Sequence, residues 1–174
     1  SDEMVPPLAR VCRHVHEAGG RLAVQLYHAG RQTKTELIGQ TPLAPSAVKD
    51  FLTKLTPRAM EPEEIADTIA AFGKAARRAR EAGCDAVQVM AGHGYLINEF
   101  LSARTNRRRD EYGGSLDHRA RFLLDILAAI RSEVGTDYPV LVKINSGDFV
   151  RRGFTLKESA TTCAIPGRIG GRDD

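Results

Sequence analysis

Apolar residues recur at helical spacing in some stretches of this chain and run nearly unbroken in others, and the two kinds alternate. Over 7–16, Leu8, Val11, Cys12 and Val15 fall at i, i+3, i+4 and i+7, which puts them on one helix face, and Gly19-Gly20 supplies a left-handed stop. Leu22-Ala23-Val24-Gln25-Leu26-Tyr27 then reads as a strand of the kind covered on both faces, ending in the polar cluster His28-Ala29-Gly30-Arg31-Gln32. The stretch from there to Arg58 shows no period and is expected to be a long irregular loop, of a length that is usually either functional or disordered. A second helix is predicted from Pro62, with Ile65, Ile69, Phe72, Ala76 and Ala79 as its apolar stripe and Gly83 past its end. Ala86-Val87-Gln88-Val89-Met90 is a buried strand, followed by Ala91-Gly92-His93-Gly94-Tyr95, where two glycines let the backbone turn tightly around a histidine. A third helix is predicted from an N-cap at Ser115, with Leu123, Ile126, Leu127, Ile130 and Val134 facing inward and Gly135 beyond its end. Val140-Leu141-Val142-Lys143-Ile144-Asn145 is the third strand, and a further helix starts at Thr155 before Pro166-Gly167 interrupts it.

Strands that alternate with helices of this length imply parallel β-α units, so the expected class is α/β. No G-x-G-x-x-G follows any strand, which leaves a dinucleotide-binding fold without its motif and favours consecutive units of a (β/α)8 TIM barrel. Such a barrel typically needs about 250 residues. The 174 residues here are therefore expected to hold a partial barrel of about three central β-α units over 1–160, with an atypical tail over 161–174.

Composition adds exclusions rather than a function. With 42% hydrophobic and 27% charged residues the chain is an ordinary globular sequence, and a net charge of +3 is too small an excess to make nucleic acid the expected partner. Cys12, Cys84 and Cys163 are widely spaced and include no C-x-x-C pair, so neither a disulfide framework nor a metal or iron–sulfur ligand set is encoded. No apolar stretch is long enough to span a bilayer, and the acidic, polar start is unlike a signal peptide. The expected setting is the cytoplasm, away from membranes.

Candidate chemistry lies at strand ends, where barrel active sites are built. Gln25 and Lys143 sit within apolar strands, where a polar group needs a partner, either a bound polar ligand or, for Lys143, a buried carboxylate or the solvent at the barrel mouth. Gln88, between two valines, reads as structural. His93 and Tyr95 follow a strand two residues apart, so an imidazole and a phenol could meet one substrate, or both could simply pack in a turn. His28 at the end of the first strand has the same ambiguity, its bland reading being a helix-cap or loop hydrogen bond. The run Thr105-Asn106-Arg107-Arg108-Arg109-Asp110 is basic enough to hold a phosphate or carboxylate, and equally fits a solvated loop with local ion pairs.

These residues together resemble a family. Gln25-Leu26-Tyr27-His28-Ala29-Gly30-Arg31, Ala44-Pro45-Ser46, His93-Gly94-Tyr95-Leu96-Ile97-Asn98-Glu99-Phe100-Leu101, Thr105-Asn106-Arg107 and Asp110-Glu111-Tyr112-Gly113-Gly114-Ser115 are similar to the Old Yellow Enzyme family of NADH:flavin oxidoreductases, over about 8–156. The resemblance implies an FMN barrel that takes hydride from NADH or NADPH and passes it to an electron-poor alkene, a small unsaturated molecule. It implies that Gln25 hydrogen-bonds the polar edge of the isoalloxazine and that Lys143, where relatives commonly carry Arg, stabilises the anionic reduced flavin. It also implies that Tyr95 donates a proton to the substrate carbon beside the one receiving hydride, and that His93 binds the substrate carbonyl oxygen.

The chain departs from the family where the other member of the carbonyl-binding pair is expected, at Met90, which can neither donate a hydrogen bond nor carry charge. Methionine there, with the stretch 94–101, resembles the 2,4-dienoyl-CoA reductase branch, in which the segment matching Arg104, Thr105, Asn106 and Arg107 touches substrate; His93 argues against that branch. The strands that would cradle the FMN phosphate and the iron–sulfur cysteines of that branch are expected beyond Asp174, and the first strands before Ser1. Two rival readings follow: a non-catalytic barrel fragment that self-associates into a homo-oligomer or pairs with a complementary chain, and an anion or nucleic-acid binder using Arg107-Arg108-Arg109 and Arg151-Arg152.

Overall fold

A computed structural model describes residues 1–165. The chain divides into two compact units. The first comprises Ser1–Tyr27, Pro62–Met90 and Asp125–Lys143; the second comprises His28–Glu61, Ala91–Leu124 and the described residues from Ile144 onward.

Within the first unit a short 3₁₀ turn, Asp2–Met4, leads into α1, Val5–Glu17, whose first turn holds the prolines. The strand β1, Ala23–Leu26, follows. It pairs in parallel with β4, Ala86–Ala91, in the register Ala23 to Ala86 and Gln25 to Gln88. The strand β5, Val140–Ile144, completes a three-stranded sheet in the order β1-β4-β5. The parallel β-α arrangement expected from the sequence is thus present.

Coverage of the sheet on both faces is corrected. It holds for β4, where Val87, Val89, Met90 and Ala91 are all buried, but Leu141, Val142 and Lys143 of β5 are exposed, and β1 alternates between exposed and half-buried positions. β1 and β5 are the outer strands, each with one neighbour, and an apolar run cannot distinguish an outer from a central strand.

The helix α3, Pro62–Glu81, buries Ile65, Phe72, Ala76 and Ala79, and Gly83 at φ +86° turns the chain into β4. Of the α1 stripe Cys12 alone is fully buried, and its Sγ lies 3.2 Å from Sγ of Cys84, 72 residues away. Burial pushes the Cys84 thiol up to about 12. Asp85 accepts hydrogen bonds from the Leu22 backbone N–H and from His16, each at 2.8 Å, and these hold its carboxyl below the usual carboxylate range.

Within the second unit the expected long loop has more structure than its sequence suggests. It contains α2, Thr35–Ile38, and two short parallel strands, β2, Leu43–Ala44, and β3, Arg58–Ala59. Two-residue strands carry no detectable period. The helix α4, Leu96–Leu101, was not expected either, because all six of its residues are buried and leave no polar face to mark it. The helix α5, Leu116–Val134, of which the residues up to Leu124 belong to this unit, begins one residue after the expected Ser115, whose Oγ accepts the His118 N–H at 3.3 Å. Its Phe122 ring stacks on Phe100 of α4 with centroids 4.1 Å apart. The helix α6, Leu156–Ala164, opens with a reciprocal cap in which Thr155 and Glu158 satisfy each other's backbone N–H. Residues 161–164 of the expected tail over 161–174 thus belong to this helix, and 166–174 lie outside the described residues.

Candidate active site

The turn after β4 bends tightly enough to force two successive residues into left-handed backbone, His93 at φ +61° and Gly94 at φ +78°. Gly94 adopts this freely, whereas a side-chain-bearing residue there costs about 1 kcal/mol or more, so the neighbours must hold His93 in place. They do so through amides. Oδ1 of Asn145 accepts the His93 backbone N–H at 2.9 Å, Oδ1 of Asn98 accepts the Gly94 N–H at 2.8 Å, and Nε2 of Gln32 donates to the His93 carbonyl at 3.1 Å. Asn145 and Asn98 are tied to each other at 3.2 Å, and each donates to Oδ1 of Asp148, at 3.2 and 3.3 Å. Gly92 is required for a different reason: a Cβ on it would come within 2.6 Å of Oδ1 of Asn145.

This network leaves the His93 side chain exposed while its main chain is fixed, and Tyr95, half-buried, sits at the N-cap of α4. An imidazole and a phenol on one rigid turn can bind an oxygen and deliver a proton. Asn98, Asn145 and Asp148 are structural supports of this turn that lie outside the candidate residues named from the sequence. The available signal was their polarity beside apolar runs, Asn145 just past the third strand and Asn98 inside a wholly buried helix.

Below the turn lies a second buried polar group. Glu99 is 1% exposed, its Oε1 accepts the Arg31 backbone N–H at 2.9 Å, and its Oε2 has no hydrogen-bond partner. Burial pushes its carboxyl up to about 8, against the opposing pull of Arg31. Gly30, at φ +59°, is pressed against this carboxyl so closely that no Cβ fits. His28 accepts the Gly30 N–H on Nδ1 at 3.0 Å, and burial holds its imidazole below the ordinary histidine range. Its loop-bonding reading is therefore the one the geometry displays.

Of the segment expected to touch substrate, Thr105 and Asn106 are buried and turned inward. Oγ1 of Thr105 donates to the Glu99 carbonyl at 2.7 Å, and Nδ2 of Asn106 donates to the carbonyls of Phe100 and Tyr112 at 2.8 and 2.7 Å. Arg104 and Arg107 are exposed. Arg108, by contrast, is absorbed structurally through Asp110 at 2.6 Å and the carbonyls of Met60 and Pro45.

In the first unit Gln25 and Lys143 lie on the two outer strands and both are exposed. Nε2 of Gln25 donates to Oε1 of Gln88 at 2.5 Å, so the structural role expected of Gln88 is to orient the Gln25 amide. Lys143 reaches solvent, the snorkelling alternative for a cation in an apolar strand. An amide and an ammonium are a donor set that fits the polar edge of a flavin ring, where N–H and C=O groups alternate and negative charge collects on reduction. Among the described residues no cluster of three His, Cys, Asp or Glu side chains is placed to hold a metal, and no helix is long and apolar enough to cross a membrane.

The profile of the NADH:flavin oxidoreductase / NADH oxidase family matches residues 1–170. An NADPH dehydrogenase of a Geobacillus species is 46% identical over 158 residues, covering 91% of this chain and 45% of that protein. Among solved structures, a 2-naphthoyl-CoA reductase in complex with 2-naphthoyl-CoA superposes with a TM-score of 0.91 at 35% identity, covering 97% of this chain and 27% of the other. An Old Yellow Enzyme homologue from Zymomonas mobilis superposes with a TM-score of 0.74 at 36% identity, covering 82% and 43%. The chain spans a quarter to just under half the length of the curated relatives it matches.

Proposed function

Because this chain belongs to the NADH:flavin oxidoreductase / NADH oxidase family, we propose that it is part of an FMN-dependent oxidoreductase that moves hydride from NADH or NADPH to an electron-poor alkene. FMN, when bound, supplies the two-electron hydride chemistry between nicotinamide and acceptor. The chain's own residues do the rest. Gln25, oriented by Gln88, hydrogen-bonds the polar edge of the ring, and Lys143 places a positive charge where negative charge develops. His93 donates a hydrogen bond to the acceptor's carbonyl oxygen and so draws electron density from the alkene. Tyr95 delivers the proton to the neighbouring carbon from its phenolic oxygen. Met90 is buried in β4 and offers no donor, so the carbonyl is held by His93 without the usual second partner. Arg104 and Arg107 meet the distal part of the acceptor, on a segment that Thr105 and Asn106 pin to α4. That one solved neighbour holds a naphthoyl-CoA supports a thioester among the acceptors.

The observation that carries this reading is the fixed, exposed His93 beside Tyr95 at the end of the buried β4. The experiment is an FMN titration of the 174-residue chain followed by flavin fluorescence, then addition of NADPH and an enone. Saturable quenching, bleaching by NADPH and recovery with the enone are expected; a folded chain that leaves flavin fluorescence unchanged overturns the reading for this chain.

A second reading is favoured by one specific observation. Leu141 and Val142, 47% and 37% exposed, lie on the outer strand β5, where an unpaired apolar edge promotes association with another strand. On that reading the chain acts as a non-catalytic segment that pairs with itself or with a complementary chain. Sedimentation of a concentration-independent monomer would rule out self-pairing, and saturable FMN binding by that monomer would rule out the need for a complementary chain.

A further inference from the structure

Two basic stretches that are far apart in sequence converge in the second unit. Arg104, Arg107, Arg151 and Arg152 line one cavity of about 180 Å³ together with Arg31 and Lys49. Five of these six cations are exposed, and Nη1 of Arg104 donates to the Arg151 carbonyl at 3.4 Å, which joins the two stretches. Arg31 is different: its side chain is 14% exposed, its Nε faces Oδ1 of the buried Asp50 at 3.4 Å as an ion pair without hydrogen-bond geometry, and its Nη1 donates to the Val48 carbonyl at 3.4 Å. Arg152 is also held at φ +62°, backbone that a side-chain-bearing residue enters only at a cost. Phe51 lines the same cavity, 78% exposed, with Nζ of Lys54 4.0 Å from the centroid over one face of its ring.

Like charges gathered around so small a space repel one another, and one ionic contact with Asp50 does not offset six cations. A counter-anion would relieve this. Five of the six groups are guanidinium forks, which match the paired oxygens of a phosphoryl group, and a single carboxylate would leave most of the charge uncompensated. The Phe51 ring, with the Lys54 ammonium over one face, leaves its other face for a heterocycle to stack on.

We propose that this cavity binds the phosphoryl groups of an adenosine-phosphate tail. That chemistry is shared by a coenzyme A thioester and by NADPH, which differ in carrying the extra phosphate on the 3′ or the 2′ oxygen. The anion site itself stands on geometry alone; its use by an acceptor or a hydride donor rests on the function proposed above. The two are separable because anion binding is measured without flavin.

The test is calorimetric titration of the full chain at fixed ionic strength with pyrophosphate, orthophosphate, acetate, and adenosine 3′,5′- and 2′,5′-bisphosphate. One saturable pyrophosphate site is expected, at least about tenfold tighter than acetate. The Arg151→Gln/Arg152→Gln double variant should weaken it by about tenfold or more and Lys49→Gln by about threefold, while Arg109→Gln, outside the cavity, leaves it unchanged. Should the double variant not fold, as judged by circular dichroism, Lys49→Gln carries the test. A bisphosphate that binds more tightly than orthophosphate supports the proposal, and whichever isomer is preferred identifies the tail. Acetate binding as tightly as pyrophosphate, equal losses in Arg109→Gln and the cavity variants, or bisphosphates no tighter than orthophosphate would each overturn it.

Discussion

The side-chain amide of Asn145 accepts the backbone N–H of His93 at 2.9 Å, across 52 residues of sequence. One hydrogen bond thereby ties the residue just past β5 to the strained turn after β4. Asn145→Ala removes that acceptor together with its bonds to Asn98 and Asp148. A loss of about 1–3 kcal/mol is expected in urea unfolding, with acceptor turnover falling more than flavin binding. Unchanged stability would show that the turn holds itself.

His93→Gly separates strain from chemistry at the same position. Releasing a left-handed φ of +61° should stabilise the chain by up to about 1 kcal/mol, while loss of the imidazole should raise KM for a carbonyl-bearing acceptor. Thermal melts beside steady-state kinetics would resolve the two effects.

Tyr95→Phe keeps the ring and removes the proton. Flavin reduction by NADPH is expected to persist, and reoxidation by an enone should slow by about 10²-fold or more, the scale of a lost general acid. Reoxidation at the parental rate would remove Tyr95 from the proton-donor role.

Glu99 gives a pH signature. Its folded pKa, pushed up to about 8, lies above the unfolded value near 4.5, so the folded state holds the extra proton between them. Its stabilising contribution is complete below about pH 4.5 and is lost as pH rises through about 8. Glu99→Gln keeps an oxygen for the Arg31 N–H and cannot ionise. Relative to the parent, this variant should gain on the order of a few kcal/mol between pH 5 and pH 9, read from urea midpoints at the two pH values. A constant difference between the two chains would place the proton elsewhere.

The thiols should divide by burial. Cys163 is exposed, whereas Cys12 and Cys84 are buried against each other, and Cys84 is further protected by its raised pKa. An aromatic disulfide reagent at pH 8 is expected to titrate one thiol rapidly in the folded chain and the other two on unfolding.

The sequence by itself determined the α/β class, the helices α1, α3, α5 and α6, the three main strands, and the placement of Gln25, His93, Tyr95 and Lys143 at strand ends. These features are local: a helical stripe, an apolar run or a glycine pair is set by neighbours within a few residues. Tertiary structure alone decided the rest. Nothing near Leu141 or Val142 marks β5 as an outer strand, since exposure depends on whether another strand lies alongside. The helix α4 was hidden because full burial erases amphipathic period, and Glu99 became an unusual acid only through what encloses it. The same holds for the amides around His93 and the cations around Arg31, which include groups from segments far apart in the sequence. Such groups acquire meaning from packing, because desolvation, repulsion and hydrogen-bond geometry act through space and leave no pattern along the chain.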